Sequence, residues 1–463
     1  MPLPNKLPPA SVVTAAVSRR KLLLTGLAGG LAISVPRFMC GNATAQQRGP
    51  ADLGRFDTAN VRPRPIAVVE FLGDDLKFGA EVAAIVAADL DRCGLFKPIP
   101  PTAFIERISD FNQPPRFADW SSIGAEALIV GRTRQLPDGR AAADFKLYDV
   151  ILGKQLAGEG FGANPQSWRR LGHIIADRVY EKMTLEKGYF DTQIVYVDEA
   201  GPKNKRLKRL TIMDQDGYNL RYLTQGRDLV LTPRFNPTAP EVCFLEYADG
   251  GAQTRVFVMN IETLQRELVG NFPGKTFAPR FSPDGQRLVM SIDEQGAVSL
   301  IEVDLRSRQM RRLTQTDRID TAPSYSPDGR QIVFESDREG TQQLYVMAAG
   351  GGQANRISHG DGRYSTPVWS PRGDYIAYTK QSGGAFLIGV MKPDGSDERI
   401  LTSGYHNEGP TWAPNGRALM FFRESQGASG GPKLFSVDLT GYNERQVPTP
   451  GFGSDPAWSP LRT

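Results

Sequence analysis

The chain has 463 residues, of which 40% are hydrophobic and 23% are charged. This length allows two or three domains, and the composition is that of a globular protein rather than a disordered one. The formal net charge is +4, but residues 1–45 hold five basic side chains and no acidic one, which leaves 50 basic and 51 acidic residues in the remainder. The excess charge belongs to the N-terminal segment, so the main electrostatic reason to expect a nucleic-acid partner disappears.

The first 45 residues have the features of an export signal. The twin arginine Arg19–Arg20 precedes an apolar stretch, and Ala43 and Ala45 form an A-x-A site that predicts cleavage between Ala45 and Gln46. The apolar stretch is shorter than the about 20 residues that a membrane span needs, which argues against an uncleaved anchor. Large residues before Cys40 argue against a lipoprotein. We expect a twin-arginine signal peptide over 1–45 and a flexible arm over 46–61.

Residues 62–187 predict a small α/β domain. A buried strand "PIAVVEF" is followed by a helix with apolar side chains at Val82, Ile85, Val86 and Leu90, the spacing of one helix face. The strand "AEALIVGRT" and a hairpin around Gly153 come next. A second helix is predicted from Asn164 to about Lys187, capped by Asn164 and ended by Gly188, with an apolar stripe at Trp168, Leu171, Ile175, Val179 and Met183.

Only Cys93 and Cys243 remain after the predicted cleavage. They fall in different predicted domains, so we expect two separate buried thiols and no disulfide.

A motif recurs through residues 188–463. Its copies are PRFNPTA, PRFSPDG, PSYSPDG, PVWSPRG, PTWAPNG and PAWSP, starting at Pro233, Pro279, Pro323, Pro367, Pro410 and Pro456. The six anchor prolines are 46, 44, 44, 43 and 46 residues apart. A period in the forties is typical of a four-stranded propeller blade or of a two-helix repeat.

The segments after each anchor favour strands. "RQIVFES", "QRLVMSI" and "DYIAYTK" are rich in β-branched and aromatic residues and are bounded by Gly and Asp, and helical periodicity is missing. S-P-D-G is a hairpin connection, because proline presets φ, Asp suits the next position and Gly accepts the left-handed conformation. The pattern therefore predicts four strands in each repeat unit.

The ends of the array predict a closed ring. Before Pro233 there are three strands without a P-x-aromatic strand, and after Pro456 there is such a strand alone. The C-terminal "SDPAWSP" can complete the first blade and leave no exposed sheet edge. The predicted fold class is thus a small α/β N-terminal domain followed by an all-β six-bladed propeller closed by the C-terminal strand.

The sequence offers little for catalysis. The three histidines, His173, His359 and His406, have no second ligand or base at a telling spacing. "GASGG" at 427–431 matches G-x-S-x-G but joins two strands, which predicts a hairpin loop rather than a nucleophile elbow. Asp214 and Asp216 lack the other ligands of a calcium loop and predict a turn. We expect no catalytic residue, no metal and no cofactor. The loops that enter each P-x-aromatic strand, such as "RIDTA" and "YHNEG", mix charged, hydroxyl, aromatic and amide groups, which favours recognition of a protein loop.

The export signal, the α/β domain, the P-x-[FYW]-S-P-D-G blades and the terminal P-A-W-S-P resemble the TolB family of the Tol-Pal system, over nearly the whole mature chain. The resemblance implies a periplasmic, non-catalytic scaffold that supports outer-membrane integrity and constriction at cell division. It further implies a monomer that reaches the membrane only through its partners: the lipoprotein Pal at the propeller mouth and the C-terminal domain of TolA at the arm. The twin arginine and the long basic arm depart from the family pattern.

Residue by residue, the resemblance implies two sets of contacts. The Pal-facing set, each member just ahead of an anchor proline, is Lys275, Thr276, Asp320, Thr321, Tyr364, Ser365, His406 and Asn407. The TolA-facing set is Gln46, Gln47, Arg48, Asp52, Leu53 and Arg55. The alternatives are a propeller that binds a sugar or peptide in its channel and a protein of the prolyl-oligopeptidase type. A peptidase would need a hydrolase domain, for which no segment has room.

Overall fold

The computed structural model describes residues 62–203, 205–248, 253–427 and 430–462. The predicted signal peptide, its cleavage site and the arm lie outside these residues. No helix within the described ranges has the length and apolar character needed to cross a bilayer.

The N-terminal part is one mixed five-stranded sheet with helices on both faces. Its elements are β1 Arg64–Val68, α1 Leu76–Arg92, β2 Phe96–Pro98, a 3₁₀ turn Pro101–Ala103, α2 Phe117–Ser122, β3 Ala127–Gln135, β4 Ala141–Asp149, β5 Lys154–Ala163, a 3₁₀ turn Pro165–Ser167 and α3 Arg169–Thr184. The strand order is β2-β1-β3-β4-β5. β1 is parallel to β2 and β3, whereas β4 and β5 run antiparallel.

Alternation along β1 and β3 separates two cores. Ile66 and Ile129 pack in the same cluster as residues of α1 and α3, while Ala67 and Leu128 pack with Trp120 of α2 on the opposite face. Successive side chains of a strand point to opposite faces, so one buried sheet supports both helix layers.

The two long helices confirm the predicted apolar stripes, but the predicted ends of α3 are wrong. Asn164 makes no side-chain cap and precedes a 3₁₀ turn, because the α-helix starts only at Arg169. The helix ends at Thr184, and Leu185 takes the left-handed conformation with φ of 64°, three residues before Gly188. The Leu185 amide still donates to the Glu181 carbonyl, which satisfies the terminal turn without glycine.

Six four-stranded antiparallel sheets follow, as predicted. The blades are β6 Gln193–Ala200, β7 Leu207–Asp214 and β8 Arg221–Tyr222 with β29 Phe452–Trp458; β9 Leu229–Phe235, β10 Glu241–Ala248, β11 Gln253–Asn260 and β12 Arg266–Leu268; β13 Lys275–Phe281, β14 Arg287–Glu294, β15 Ala297–Asp304 and β16 Met310–Arg312; β17 Asp320–Tyr325, β18 Gln331–Ser336, β19 Gln343–Ala348 and β20 Asn355–Arg356; β21 Arg363–Trp369, β22 Ile376–Ser382, β23 Ala385–Met391 and β24 Arg399–Gly404; β25 Asn407–Trp412, β26 Ala418–Glu424, β27 Pro432–Asp438 and β28 Arg445–Gln446.

The first strand of each blade is an inner strand, and the six inner strands contact one another in a ring: β9, β13, β17, β21, β25 and β29, with β29 returning to β9. Pairing of β29 with β6 confirms the predicted closure. Trp458 lies at this seam, where its indole N–H donates to Thr192 Oγ1 at 2.8 Å and its ring meets Tyr189 edge-on at 5.6 Å.

Each inner strand carries an irregularity at its anchor proline. The residue before the proline has a positive φ in all six strands: Thr232 (48°), Ala278 (52°), Ala322 (52°), Thr366 (49°), Gly409 (68°) and Asp455 (50°). The ladder with the second strand shifts register in every blade. Such bulges bend a strand and increase its twist, so the motif that sequence analysis assigned to a turn also curves the inner strand.

Glycine closes the S-P-D-G turn for two reasons. Gly285 has φ of 70°, which disfavours other residues. A Cβ at Gly285 would also lie 2.4 Å from Asn236 Oδ1 of the preceding blade. Gly285 therefore sets both the hairpin and the close approach to the preceding blade.

Replacing Trp458 by alanine tests the closure. We expect the free energy of unfolding to fall by about 3–5 kcal/mol, the usual loss for a buried tryptophan. Urea denaturation measures this change. The matched control is Met310→Ala on the exposed strand β16, for which we expect a change within about 0.5 kcal/mol. Equal effects of both substitutions would contradict a closure that depends on β29.

Candidate functional site

The propeller has two faces, and the α/β domain occupies one of them. Asn415, in the turn that follows inner strand β25, donates from Nδ2 to the Lys187 carbonyl at 3.0 Å. Arg417 binds Glu186 through Nε at 2.6 Å. Because the inner strands end at these turns, their first residues lie at the opposite end of the channel. We call that end the mouth and define it by residues 225–229, 271–276, 315–321, 359–365, 402–407 and 449–452.

All eight predicted Pal-facing residues fall within the mouth, but most have buried side chains. Lys275 is exposed, and Ser365 and His406 are half-buried. The five buried ones are Thr276, Asp320, Thr321, Tyr364 and Asn407. Whether any of them contacts a partner stays a prediction.

The buried members hold the strand starts in place. Asp320 accepts two hydrogen bonds from Arg338 Nη2, at 2.9 and 3.0 Å, and the same guanidinium lies 4.8 Å from the Tyr345 ring centroid. Removing one partner of a buried pair leaves the other charge uncompensated. A substitution at Asp320 would therefore disturb the fold as well as any binding.

A second group surrounds Glu398. Its Oε1 accepts from the Tyr364 hydroxyl at 2.8 Å, from the Tyr378 hydroxyl at 3.0 Å and from Lys380 Nζ at 2.9 Å. Burial would raise the pKa of Glu398, but these three donors outweigh it and hold the pKa below its usual value. The carboxylate thus remains ionised, and its hydrogen bond with Tyr364 fixes the start of β21.

His406 is held by stacking. Its ring lies 4.5 Å from the Phe386 ring centroid, nearly parallel to it, and its Nε2 is 3.0 Å from Glu408 Oε2. Neighbouring Asn407 accepts from Arg423 Nε at 2.8 Å. The stack and the Glu408 contact therefore hold the half-buried His406 ring in a fixed orientation.

Sequence analysis missed the most exposed apolar residues of the mouth. Leu229 is 40%, Ile319 43% and Tyr405 40% exposed. The mouth also exposes arginines at positions 227, 318 and 363 and aspartates at positions 228, 317 and 361. The loop "RIDTA" contains Arg318 and Ile319. Both residues precede the inner strand β17 and its pairing with β18, and this position is the signal that could have identified them as exposed.

Ile319 is nevertheless fixed in position. Its backbone N–H donates to Asp337 Oδ1 at 2.9 Å, and it forms an isolated bridge with Val298 of the neighbouring blade. An exposed apolar side chain on a hydrogen-bonded backbone is a preorganised contact point.

A buried polar network joins the α/β domain to the first blade. His173 Nδ1 lies 2.6 Å from Asp89 Oδ2, and Gln215 Nε2 donates to Asp89 Oδ1 at 2.9 Å. Burial would lower the pKa of His173, but Asp89 and Asp216 outweigh it and raise the pKa above its usual value. Burial would raise the pKa of Asp89, but His173 and Arg92 lower it. Both members of the pair are thus held in their charged forms.

Part of this network has the composition of a metal site. One ligand atom each from His173, Asp214 and Asp216 lie within 4.8 Å of one another, and all three residues are buried. However, Arg169 Nη2 lies 2.5 Å from Asp216 Oδ2, and Arg462 Nη2 lies 3.1 Å from Asp214 Oδ1. Guanidinium groups already compensate both carboxylates, so we assign the group as an ion-pair network between the two domains.

The structure describes most of the other residues that sequence analysis considered for a site: the two cysteines, Asp214 and Asp216, and part of the "GASGG" segment. Cys93 and Cys243 are buried, unpaired thiols, as predicted. Asp214 and Asp216 lie at the turn after β7, also as predicted. In the "GASGG" segment, the described glycines connect β26 to β27, and the serine lies outside the described residues.

Replacing His173 by glutamine tests the network. Because the folded-state pKa of His173 is raised above the unfolded value of about 6.5, its charge stabilises the fold fully below that pH and loses its effect as the pH rises through the raised pKa. We expect the variant to be most destabilised near pH 5.5 and the difference to shrink at pH 8.5 and above, measured by urea denaturation. His359→Gln, at an exposed position, is the control. A pH-independent difference for the His173 variant would contradict the charged pair.

Comparisons with known proteins agree with this architecture. The chain matches the family described as the TolB beta propeller domain over residues 180–462 and the TolB amino-terminal domain over residues 56–156. It is similar to TolB from Acinetobacter baumannii, with 27% identity, a TM-score of 0.77 and coverage of 86% of this chain and 97% of the other. A putative TolB from Agrobacterium tumefaciens is 18% identical, with a TM-score of 0.46 and coverage of 57% of this chain and 91% of the other. The chain therefore belongs to the TolB family.

Proposed function

We propose that this protein is a non-catalytic periplasmic scaffold of the Tol-Pal system, which binds Pal at the propeller mouth and the C-terminal domain of TolA through the N-terminal arm. Membership of the TolB family supports this role. The single observation that supports the mouth as the binding surface is its position opposite the α/β domain, with exposed apolar side chains and charged side chains of both signs around the channel.

The chemistry of the mouth suits a protein loop. Leu229, Ile319 and Tyr405 supply apolar contact area. The mouth also exposes arginines at 227, 318 and 363 and aspartates at 228, 317 and 361. Aromatic residues and arginine are enriched in protein interfaces, and a few such residues carry most of the binding energy. The buried groups around Asp320 and Glu398 make the surface rigid, which reduces the entropy lost on binding.

The residues proposed to bind TolA, from Gln46 to Arg55, lie outside the described residues. Their role rests on the family resemblance and on the composition of the arm. In this proposal the arm is a segment that becomes ordered when it binds, and its affinity therefore includes an ordering cost.

We further propose that the two sites are coupled by an order–disorder switch of the arm. A small cavity lies between the α/β domain and the propeller, lined among others by Arg92, Gln215 and Asn443. Apolar residues such as Met420 and Trp458 complete the lining, and Asn443 Nδ2 donates to the Arg92 carbonyl at 2.7 Å. In this proposal, occupancy of the mouth changes whether the arm is docked at this boundary or free.

Ile319→Arg tests the Pal site. The substitution places a charge in the proposed apolar contact, and we expect the affinity for Pal to fall at least about tenfold, or about 1.4 kcal/mol, in calorimetric titrations. The matched control is Met310→Arg on the outer strand β16, because Met310 is 44% exposed against 43% for Ile319. Unchanged binding by the Ile319 variant would rule out the mouth, and no binding by the unaltered protein would favour a sugar or peptide ligand.

Deleting residues 46–55 tests the arm. We expect loss of binding to the C-terminal domain of TolA with unchanged affinity for Pal, both measured by calorimetry on the mature chain. Coupling between the sites must be reciprocal, so saturating Pal should change the affinity for TolA by the same factor as TolA changes the affinity for Pal. Equal TolA affinity with and without Pal would contradict the switch.

A further inference from the structure

The five-stranded sheet of the α/β domain has two edges, and only one of them is protected. The edge strand β2 Phe96–Pro98 is short and ends in proline, which has no N–H to donate to an added strand. The other edge strand, β5 Lys154–Ala163, has ten residues and contains no proline. Short strands and prolines are common protections of a sheet edge, and β5 lacks both of them.

The outer side of β5 has no hydrogen-bonding partner within the described part of the chain. β5 pairs with β4 alone, and among the described residues no hydrogen bond outside that ladder reaches its backbone. The register shifts once, where Leu156 is left out of the pairing, and residues 157–163 then pair regularly with residues 141–147. In an antiparallel edge strand, every second residue points its N–H and C=O away from the neighbouring strand. Residues 157–163 therefore present a regular row of donors and acceptors.

Three glycines leave one face of this strand open. Gly158, Gly160 and Gly162 are exposed, whereas Ala157 and Phe161 pack on the other face in the cluster that includes α3. Successive side chains of a strand point to opposite faces, so β5 projects no side chain on the glycine face between residues 157 and 163. Glycine in a strand often marks a place where another backbone approaches closely.

Three exposed arginines lie on the glycine face. Arg132 and Arg134 of β3 share this face, because Arg132 pairs with Asp144 and Asp144 pairs with a glycine of β5. Arg140, in the turn between β3 and β4, has its Nη1 3.6 Å from the place that a Cβ on Gly162 would occupy. The side chains of the three arginines are 43% to 50% exposed. They can therefore reach a segment that lies along β5.

Acidic groups on this face are fewer and already paired. Asp144 accepts hydrogen bonds from Arg132 and Arg134. Asp138 accepts from Arg140 Nε at 2.8 Å. The basic side chains around the glycines are Arg132, Arg134, Arg140 and Lys146, against the two acidic ones, Asp138 and Asp144. On the α3 side, Glu159 of β5 lies 3.3 Å from Arg178 Nε and is thus also paired. The face beside the edge therefore carries an excess of positive charge.

We propose that the β5 edge binds an extended, acidic segment of a partner protein as a sixth strand of the sheet. The outward N–H and C=O groups of residues 157–163 supply main-chain hydrogen bonds, and the arginines favour acidic side chains at alternate positions of the added strand. Charge separates this partner from two other occupants. The arm of this chain carries Arg48 and Arg55 and is interrupted by Pro50, and a second copy would bring two basic faces together.

A capped, fluorescein-labelled peptide of alternating glutamate and valine serves as the probe. Titration with the mature chain, followed by fluorescence anisotropy, should show saturable binding. The same peptide with N-methylated amides keeps its side chains but loses its backbone donors, so it should bind at least about tenfold more weakly. A peptide of alternating lysine and valine should also bind more weakly, because its charges meet the arginines.

Arg140→Glu locates the binding, and Arg330→Glu is its matched control. Both arginines end a P-D-G-R turn, and in each turn the arginine N–H donates to the aspartate two residues earlier at 3.1 Å. Arg140 lies beside β5, whereas Arg330 belongs to a propeller turn. Arg140→Glu should weaken binding of the acidic peptide about fivefold or more and strengthen binding of the basic peptide. Arg330→Glu should leave both affinities unchanged.

Misfolding cannot imitate a gain of affinity for the basic peptide. Equal affinities of the Arg140 and Arg330 variants, or of the methylated and unmethylated peptides, would overturn the proposal. Binding that appears only after deletion of residues 46–55 would assign the edge to the arm, and a dimer in sedimentation velocity that Arg140→Glu disrupts would assign it to a second copy. Either result also overturns the proposal. The peptides contain no part of Pal or TolA, so this test and the tests of the proposed function can fail separately.

Discussion

The pairing of β29 with β6 is the constraint on which the rest of the structure depends. Five blades are built from continuous chain, and the first lacks its inner strand until the C-terminal segment returns to it. This pairing brings β29 against β9 and so closes the ring of inner strands. A ring without free edges has a channel with two distinct ends. The mouth, the channel and the face that binds the α/β domain all follow from that closure.

The two ends of the channel differ in chemistry. At the turn end, ion pairs and amide hydrogen bonds such as Arg417–Glu186 and Asn415–Lys187 attach the α/β domain. At the mouth, buried polar groups bind one another and hold the strand starts, while apolar side chains and charged side chains of both signs are exposed. One face is thus committed to the domain boundary, and the other is available to a partner.

The buried charges at the boundary with the α/β domain are paired. In the network around His173 and Asp89, guanidinium groups compensate the carboxylates, as expected for a structural contact. Buried charge is therefore balanced where these two parts of the chain meet.

The sequence by itself determined the six blades, their closure, the two helix stripes and the unpaired thiols, because periodicity and turn chemistry are local properties of the chain. It did not determine that α3 ends at Thr184, since the left-handed, hydrogen-bonded Leu185 that follows needs no glycine. Nor did it determine which mouth residues face solvent. Asp320 and Ile319 are adjacent in sequence, yet one is buried and the other exposed, because strand curvature and the neighbouring blade decide which side chain is covered.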